Sequence, residues 1–144
     1  MKISTRGRYA LRVMVDLAIN YDSGYISLKE IANRQDIPLK YIESIMTLLS
    51  KNNLVDAKHG KGGGYKLVKE AKDYKISDIL TITEETLAPV SCLQCKENTC
   101  KRKEYCKTLP MWQNLYQIIK GYFDSITLES LISNNQPSTD ALYI

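Results

Sequence analysis

The sequence is poor in histidine and in long hydrophobic runs. It contains one histidine in 144 residues, and no stretch approaches the roughly 20 apolar residues of a membrane span. The N-terminus lacks the apolar core of a signal peptide. Since no His/Asp/Ser constellation is visible either, we expect no catalytic site, no membrane partner and a soluble cytoplasmic protein.

The composition is that of a folded domain with an uneven charge distribution. Hydrophobic residues make up 44% and charged residues 25% of the chain, which argues against disorder throughout. Residues 1–68 hold eleven lysines and arginines against six acidic residues, whereas residues 69–144 hold nine against ten. The basic half is suited to a polyanionic partner, although solvated basic faces are also common.

The first half predicts three helices. Apolar residues spaced three and four apart from Ala10 to Ala18 indicate a helix ending near Asn20. Ser27 and Glu30 form the pattern of a capping box, and Pro38 suits the first turn of a third helix that runs to about Asn53. Two helices joined by a short turn are typical of a helix-turn-helix, whose second helix enters the major groove of DNA, but a plain helical bundle fits the pattern equally well.

A glycine-rich hairpin follows these helices. Residues 54–58 and 65–68 predict two short strands, and four of the five residues 60–64 are glycines. A phosphate-cradling loop is disfavoured, because no Lys-Ser/Thr pair follows the last glycine and no helix opens behind it. A hairpin directly after a helix-turn-helix is typical of a winged helix, whose wing lies along the DNA.

The second half predicts a short helix at residues 76–83, a cysteine segment and a long helix from Pro110. The long helix carries an apolar stripe that a second copy or its own domain must cover, and a two-fold dimer would also match a palindromic operator. Thr127 caps a last short helix. We therefore expect a mostly α fold with the following parts: a winged helix-turn-helix DNA-binding domain with a two-stranded wing (1–83), a cysteine-rich cluster-binding loop (84–108), dimerisation helices (109–134) and a flexible tail (135–144).

Four segments together resemble the IscR/CymR-type family of bacterial winged-helix regulators, which control iron-sulfur cluster assembly, cysteine metabolism or redox responses. The resemblance spans residues 1 to about 134. The segments are Met1-Lys2-Ile3-Ser4-Thr5-Arg6-Gly7-Arg8-Tyr9-Ala10, Gly62-Gly63-Gly64-Tyr65, the cysteine segment ending in Cys106, and Ile126-Thr127-Leu128-Glu129.

The resemblance implies a homodimer that binds a double-stranded DNA operator. In cluster-binding members the start of the recognition helix reads base edges and the wing tip lies against DNA. Glu43 can accept from a cytosine amino group, and Lys40 can donate to phosphate or guanine. Pro38 offers no side-chain hydrogen bond, and His59 stands where a wing arginine is common. The implied DNA-binding residues are Arg6, Tyr9, Pro38, Lys40, Tyr41, Glu43, His59, Lys61 and Gly62.

The four cysteines are spaced Cys92-x2-Cys95-x4-Cys100-x5-Cys106. Such a cluster indicates a metal site or redox switch, whereas a thiol oxidoreductase would need a βαβ context that is missing here. Cluster-binding relatives use three cysteines and a histidine three residues after the last, a position held here by Leu109. Either the extra cysteine supplies the fourth ligand or the centre differs from the family's 2Fe-2S cluster, and we expect the four cysteines to bind an iron-sulfur cluster of the 2Fe-2S type. A zinc site and a metal-free thiol switch, either of them in a regulator of cysteine or sulfur metabolism, remain alternatives.

Overall fold

The computed structural model describes residues 1–134 and is mostly helical with one two-stranded antiparallel sheet, as predicted. The predicted flexible tail, 135–144, lies outside the described residues. Every predicted element is present, with ends shifted by at most two residues. The elements are α1 (Thr5–Ile19), α2 (Leu28–Gln35), α3 (Leu39–Lys51), β1 (Val55–Lys58), β2 (Gly64–Leu67), α4 (Ile76–Thr83), α5 (Leu109–Ser125) and α6 (Leu128–Ile132).

Helix α1 forms the centre of the domain. Ser4 caps it by accepting a hydrogen bond from the amide of Gly7 at 3.0 Å. Its apolar stripe is fully buried at Val13 and Met14, and α1 contacts α2, α3, α4, α6 and β2. Five of the other elements are therefore packed against a single helix.

Helices α2 and α3 form the helix-turn-helix. Ser27 accepts from the amide of Glu30 at 3.2 Å, but the side chain of Glu30 stays exposed, so only half of the predicted capping box is formed. Asp36 ends α2 in the left-handed conformation, with φ of 52°, and Ile37 is buried in the turn. A tight turn with an apolar anchor holds α3 at a defined angle to α2.

The wing is joined to the body of the domain by a third chain segment. Strands β1 and β2 pair from Val55 opposite Leu67 to Lys58 opposite Gly64. Ile26 and Tyr65 exchange two backbone hydrogen bonds of 2.8 and 2.9 Å. These bonds place Ile26 beside β2 near the turn end of the hairpin, so β2 is hydrogen-bonded on both of its edges.

The two C-terminal helices, α5 and α6, differ in how far they are buried. Ile126 and Leu128, which flank the start of α6, are buried in the core beside α1. Helix α5 has no fully buried residue, and Ile118 remains 49% exposed. Within the predicted unit 109–134, α6 thus packs in the winged-helix core. The sequence could not show this, because an apolar repeat predicts that a helix is amphipathic but not which neighbour covers it.

Candidate nucleic-acid interface

The start of α3 presents polar side chains on a rigid support. Ile42 and Ile45 are completely buried and anchor the helix. Lys40, Tyr41 and Glu43 alternate with these anchors and are exposed. The side chains of Lys40 and Glu43 make no hydrogen bond or ion pair with any residue that the structure describes. Their donor and acceptor groups are therefore available to an external partner.

The two predicted residues of α1 have different environments. The ring of Tyr9 meets that of Tyr41 edge to face, with centroids 5.5 Å apart and planes at 83°. Arg6 remains exposed, but its guanidinium donates two hydrogen bonds, of 3.0 and 2.7 Å, to the carbonyl of Thr83 at the end of α4. Tyr9 thus lies beside the recognition helix, whereas Arg6 stabilises the contact between α1 and α4.

The wing tip is a four-residue turn that needs glycine. Gly60 and Gly62 have φ of 92° and 74°, which side chains disfavour. The amide of Gly63 donates to the carbonyl of Gly60 at 3.0 Å. His59 and Lys61 are exposed at this tip. The structure therefore places the three predicted wing residues, including Gly62, on one projecting turn.

Two lysines of the wing strands extend its positive charge. Lys58 and Lys66 lie with their ammonium groups 5.6 and 4.7 Å from the ring centre of Tyr25, whose hydroxyl donates to Asp56. We did not single out these lysines from the sequence. The period-two alternation along β1 and β2 was the signal, since it places Lys58 and Lys66 on the face away from buried Leu67.

A buried carboxylate on α1 binds the end of α2, the first helix of the helix-turn-helix. Asp16 is 3% exposed and accepts two hydrogen bonds from Arg34, of 3.0 and 2.8 Å, and one of 2.9 Å from Gln35. The hydrogen bond to Asp16 raises the pKa of the Arg34 guanidinium above its ordinary value. Sequence reasoning missed Asp16, because nothing in the sequence distinguishes a buried aspartate from a solvated one.

The cysteine segment begins in the 3₁₀ turn Ser91–Leu93, which contains Cys92, and continues as an irregular polar loop. Cys95 and Cys100 are exposed, and Cys92 and Cys106 are half-buried. No three histidine, cysteine or carboxylate side chains within residues 1–134 are arranged to hold a metal ion. Four thiols are suitable donors for an iron-sulfur cluster or zinc. They fit such a centre by their chemistry.

One thiol of the segment has a perturbed titration. The hydroxyl of Thr108 lies 3.4 Å from the sulfur of Cys106. This hydrogen bond, together with the backbone amide of Thr108, lowers the pKa of the Cys106 thiol. A larger thiolate fraction at neutral pH makes Cys106 both a better metal ligand and a better nucleophile.

A sequence model of the Rrf2 family, described as an iron-dependent transcriptional regulator, matches residues 3–134. The chain belongs to the Rrf2 family. It is 36% identical over 134 residues to the HTH-type transcriptional regulator IscR of Serratia proteamaculans (strain 568), covering 93% of this chain and 80% of that protein. Identity to IscR of Klebsiella pneumoniae (strain 342) is 32% over 136 residues, covering 94% and 82%.

Solved structures of Rrf2 regulators share the fold. CymR (YrzC), the global cysteine regulator of B. subtilis, superimposes with a TM-score of 0.75 at 34% identity, over 93% of this chain and 98% of that chain. T. potens IscR has a TM-score of 0.75 at 31% identity, over 100% and 97%. The winged-helix prediction and the family resemblance are confirmed.

Membership of the Rrf2 family defines the class of activity. The family and its curated members are DNA-binding transcriptional regulators, which are not enzymes, so that prediction is confirmed. Among residues 1–134, none of the helices has the length and apolar character needed to cross a membrane. The exposed start of α3 and the wing are therefore the elements to consider for DNA contact.

Proposed function

We propose that this Rrf2-family regulator binds a partly palindromic DNA operator as a homodimer. The observation that carries the proposal is the exposed set Lys40, Tyr41 and Glu43 at the start of α3, in the same domain as the cationic tip of the wing. Carboxylate and ammonium groups at the start of a recognition helix read base edges and phosphates in the major groove. The wing adds phosphate contacts from His59 and Lys61.

DNA binding is tested with duplexes selected by the protein from a random pool. Affinity is measured between about 50 and 200 mM salt and is expected to fall steeply, with a slope of about 0.9 per neutralised phosphate. Glu43→Gln is expected to relax the base preference at one position of each half-site, while Lys61→Gln weakens all duplexes alike. Binding that is independent of salt would instead indicate a protein-docking surface.

The uncovered side of α5 supports the homodimer. Met111, Leu115 and Ile118 are 53%, 38% and 49% exposed, and they recur at helical spacing. An apolar stripe of this length is normally covered, and a second copy supplies a matching stripe. A solution mass of two chains is expected from light scattering. A mass of one chain at micromolar concentration, with or without duplex, would contradict the dimer.

We further propose that the cysteine segment senses iron-sulfur or redox status. Cys92, Cys95, Cys100 and Cys106 would hold the centre, which supplies a reducible and labile group directly before α5. Binding of the centre would order the loop at the start of α5. This would change how the two subunits are placed relative to each other, and hence the geometry with which their α3 helices meet the two half-sites. The similarity to IscR proteins over most of the chain supports this choice.

A cluster-free regulator of cysteine metabolism is the second candidate. The similarity to the global cysteine regulator of B. subtilis and the lowered pKa of Cys106 favour a thiol switch. A zinc ion held by the four thiolates is the further alternative. Anaerobically purified protein separates these candidates. Visible absorbance with about two irons and two sulfides per chain indicates the 2Fe-2S cluster. Zinc without sulfide, or four free thiols, indicates the alternatives.

The sensing function has its own test. Replacing all four cysteines with serine is expected to abolish any difference in operator affinity between anaerobic protein and protein treated with peroxide. Unchanged regulation in this variant would reject the cysteine segment as the sensor, while DNA binding itself would stand.

A further inference from the structure

Arg12 of α1 lies across the turn of the helix-turn-helix and contacts its first helix. Its guanidinium donates to the carbonyl of Gln35 and, at 3.4 Å, to the side-chain oxygen of the same residue. Gln35 is the last residue of α2. Since the other side-chain atom of Gln35, its Nε2, donates to buried Asp16 at 2.9 Å, two residues of α1 hold the end of α2.

The same guanidinium also reaches the second helix of the motif through an aromatic pair. The Arg12 guanidinium carbon lies 5.2 Å from the ring centre of Tyr9, and Tyr9 meets Tyr41 of α3 edge to face at 5.5 Å. Arg12 therefore contacts the last residue of α2 directly and the start of α3 through Tyr9. The connecting turn, 36–38, is bracketed by these contacts.

We propose that Arg12 is a positioning residue for DNA recognition, acting through Gln35 and Tyr9 on the start of α3. The proposal rests on the proposed function. Base reading requires donors and acceptors placed within about 0.5 Å, whereas phosphate attraction tolerates larger errors. Arg12 thus sets sequence discrimination rather than overall affinity. A planar guanidinium is needed, because only it donates from two nitrogens while its face lies against a ring.

The test replaces Arg12 with lysine, which keeps the charge and removes the planar fork. Arg8→Lys is the matched control, because it makes the same change on the same helix. The Arg8 guanidinium donates to Thr5, 3.1 Å away, and to no other residue within 1–134. Dissociation constants are measured for a duplex selected by the wild-type protein and for one with its half-site base pairs changed. The discrimination ratio is the dissociation constant of the changed duplex divided by that of the selected duplex. Arg12→Lys is expected to lower this ratio by about 5- to 10-fold, because it weakens binding of the selected duplex and leaves binding of the changed duplex as it was. Arg8→Lys leaves the ratio within about twofold of the wild-type value.

A direct phosphate contact by Arg12 would give a different result. In that case Arg12→Met weakens both duplexes equally and lowers the salt slope by about one, and Arg12→Lys keeps the wild-type ratio. Either result would overturn the positioning role. The proposed function has a separate test, which is whether the affinity of the wild-type protein for duplex DNA rises as the salt concentration falls. A failure of this inference is therefore distinct from a failure of DNA binding.

The Tyr9 ring provides a second test that leaves Arg12 in place. Tyr9→Leu removes the ring that joins Arg12 to Tyr41 and is expected to lower the discrimination ratio, as Arg12→Lys does. A circular dichroism melt confirms that the variant folds. A ratio equal to that of the wild-type protein would refute transmission through the ring pair.

Discussion

Replacing Gly64 with alanine is expected to detach the wing from the body of the domain. A Cβ at this position would lie 2.2 Å from the carbonyl oxygen of Ile26 and 2.4 Å from its carbonyl carbon. Both are backbone atoms, so the overlap is relieved only if β2 moves. That movement breaks the two hydrogen bonds between Ile26 and Tyr65, of 2.8 and 2.9 Å.

The magnitude follows from these contacts. Two backbone hydrogen bonds contribute about 2 kcal/mol net, which lowers the melting temperature by roughly 6–10 °C in a domain of this size. A displaced wing also loses its phosphate contacts, so affinity for a selected duplex should fall about tenfold or more.

Gly62→Ala is the control, because it places the same methyl group in the same hairpin. Gly62 has φ of 74° and no atom within 4 Å of the added Cβ, so only left-handed strain of about 1–2 kcal/mol is expected, with the wing still paired to Ile26. Thermal melts at one fixed protein concentration and duplex titrations compare the variants. The two variants have overlapping expected losses of stability, so duplex affinity separates them. If Gly64→Ala bound duplex as tightly as Gly62→Ala, the bridge from Ile26 to the wing would not matter.

Three further predictions concern the core, the dimer and the thiols. Arg34→Ala leaves the carboxylate of Asp16 buried without its cation and should cost about 2–3 kcal/mol, less than for a fully buried pair because Arg34 is 41% exposed; a denaturant midpoint equal to wild type would reject this. Ile118→Asp should convert the dimer to monomers without lowering helix content, and an unchanged mass in ultracentrifugation would argue against α5 as the interface. Thr108→Val removes the hydroxyl that lowers the pKa of Cys106, so the pH midpoint of Cys106 alkylation should rise; a midpoint that stays in place or falls would contradict the assigned hydrogen bond.

The sequence by itself determined the order and type of the elements. Apolar residues spaced three and four apart predicted the helices, since that spacing places side chains on one face. Glycines that allow positive φ predicted the wing, and the spacing of four cysteines predicted a set of metal ligands, which stays a prediction. The exposure of Lys40, Tyr41 and Glu43 follows from the same pattern, because they alternate with the anchors of α3, whereas their choice as DNA-binding residues came from the family resemblance. Local rules of this kind need no knowledge of the neighbours.

Only the tertiary structure decided which partner each side chain meets. The sequence does not distinguish Arg6, which binds the carbonyl of Thr83, from Arg12, which holds the end of α2. It also groups α6 with α5, although Leu128 is completely buried in the winged-helix core. The physical reason is the same in each case: periodicity specifies the face a residue occupies, whereas burial and hydrogen bonding depend on segments distant in sequence that meet only when the chain folds.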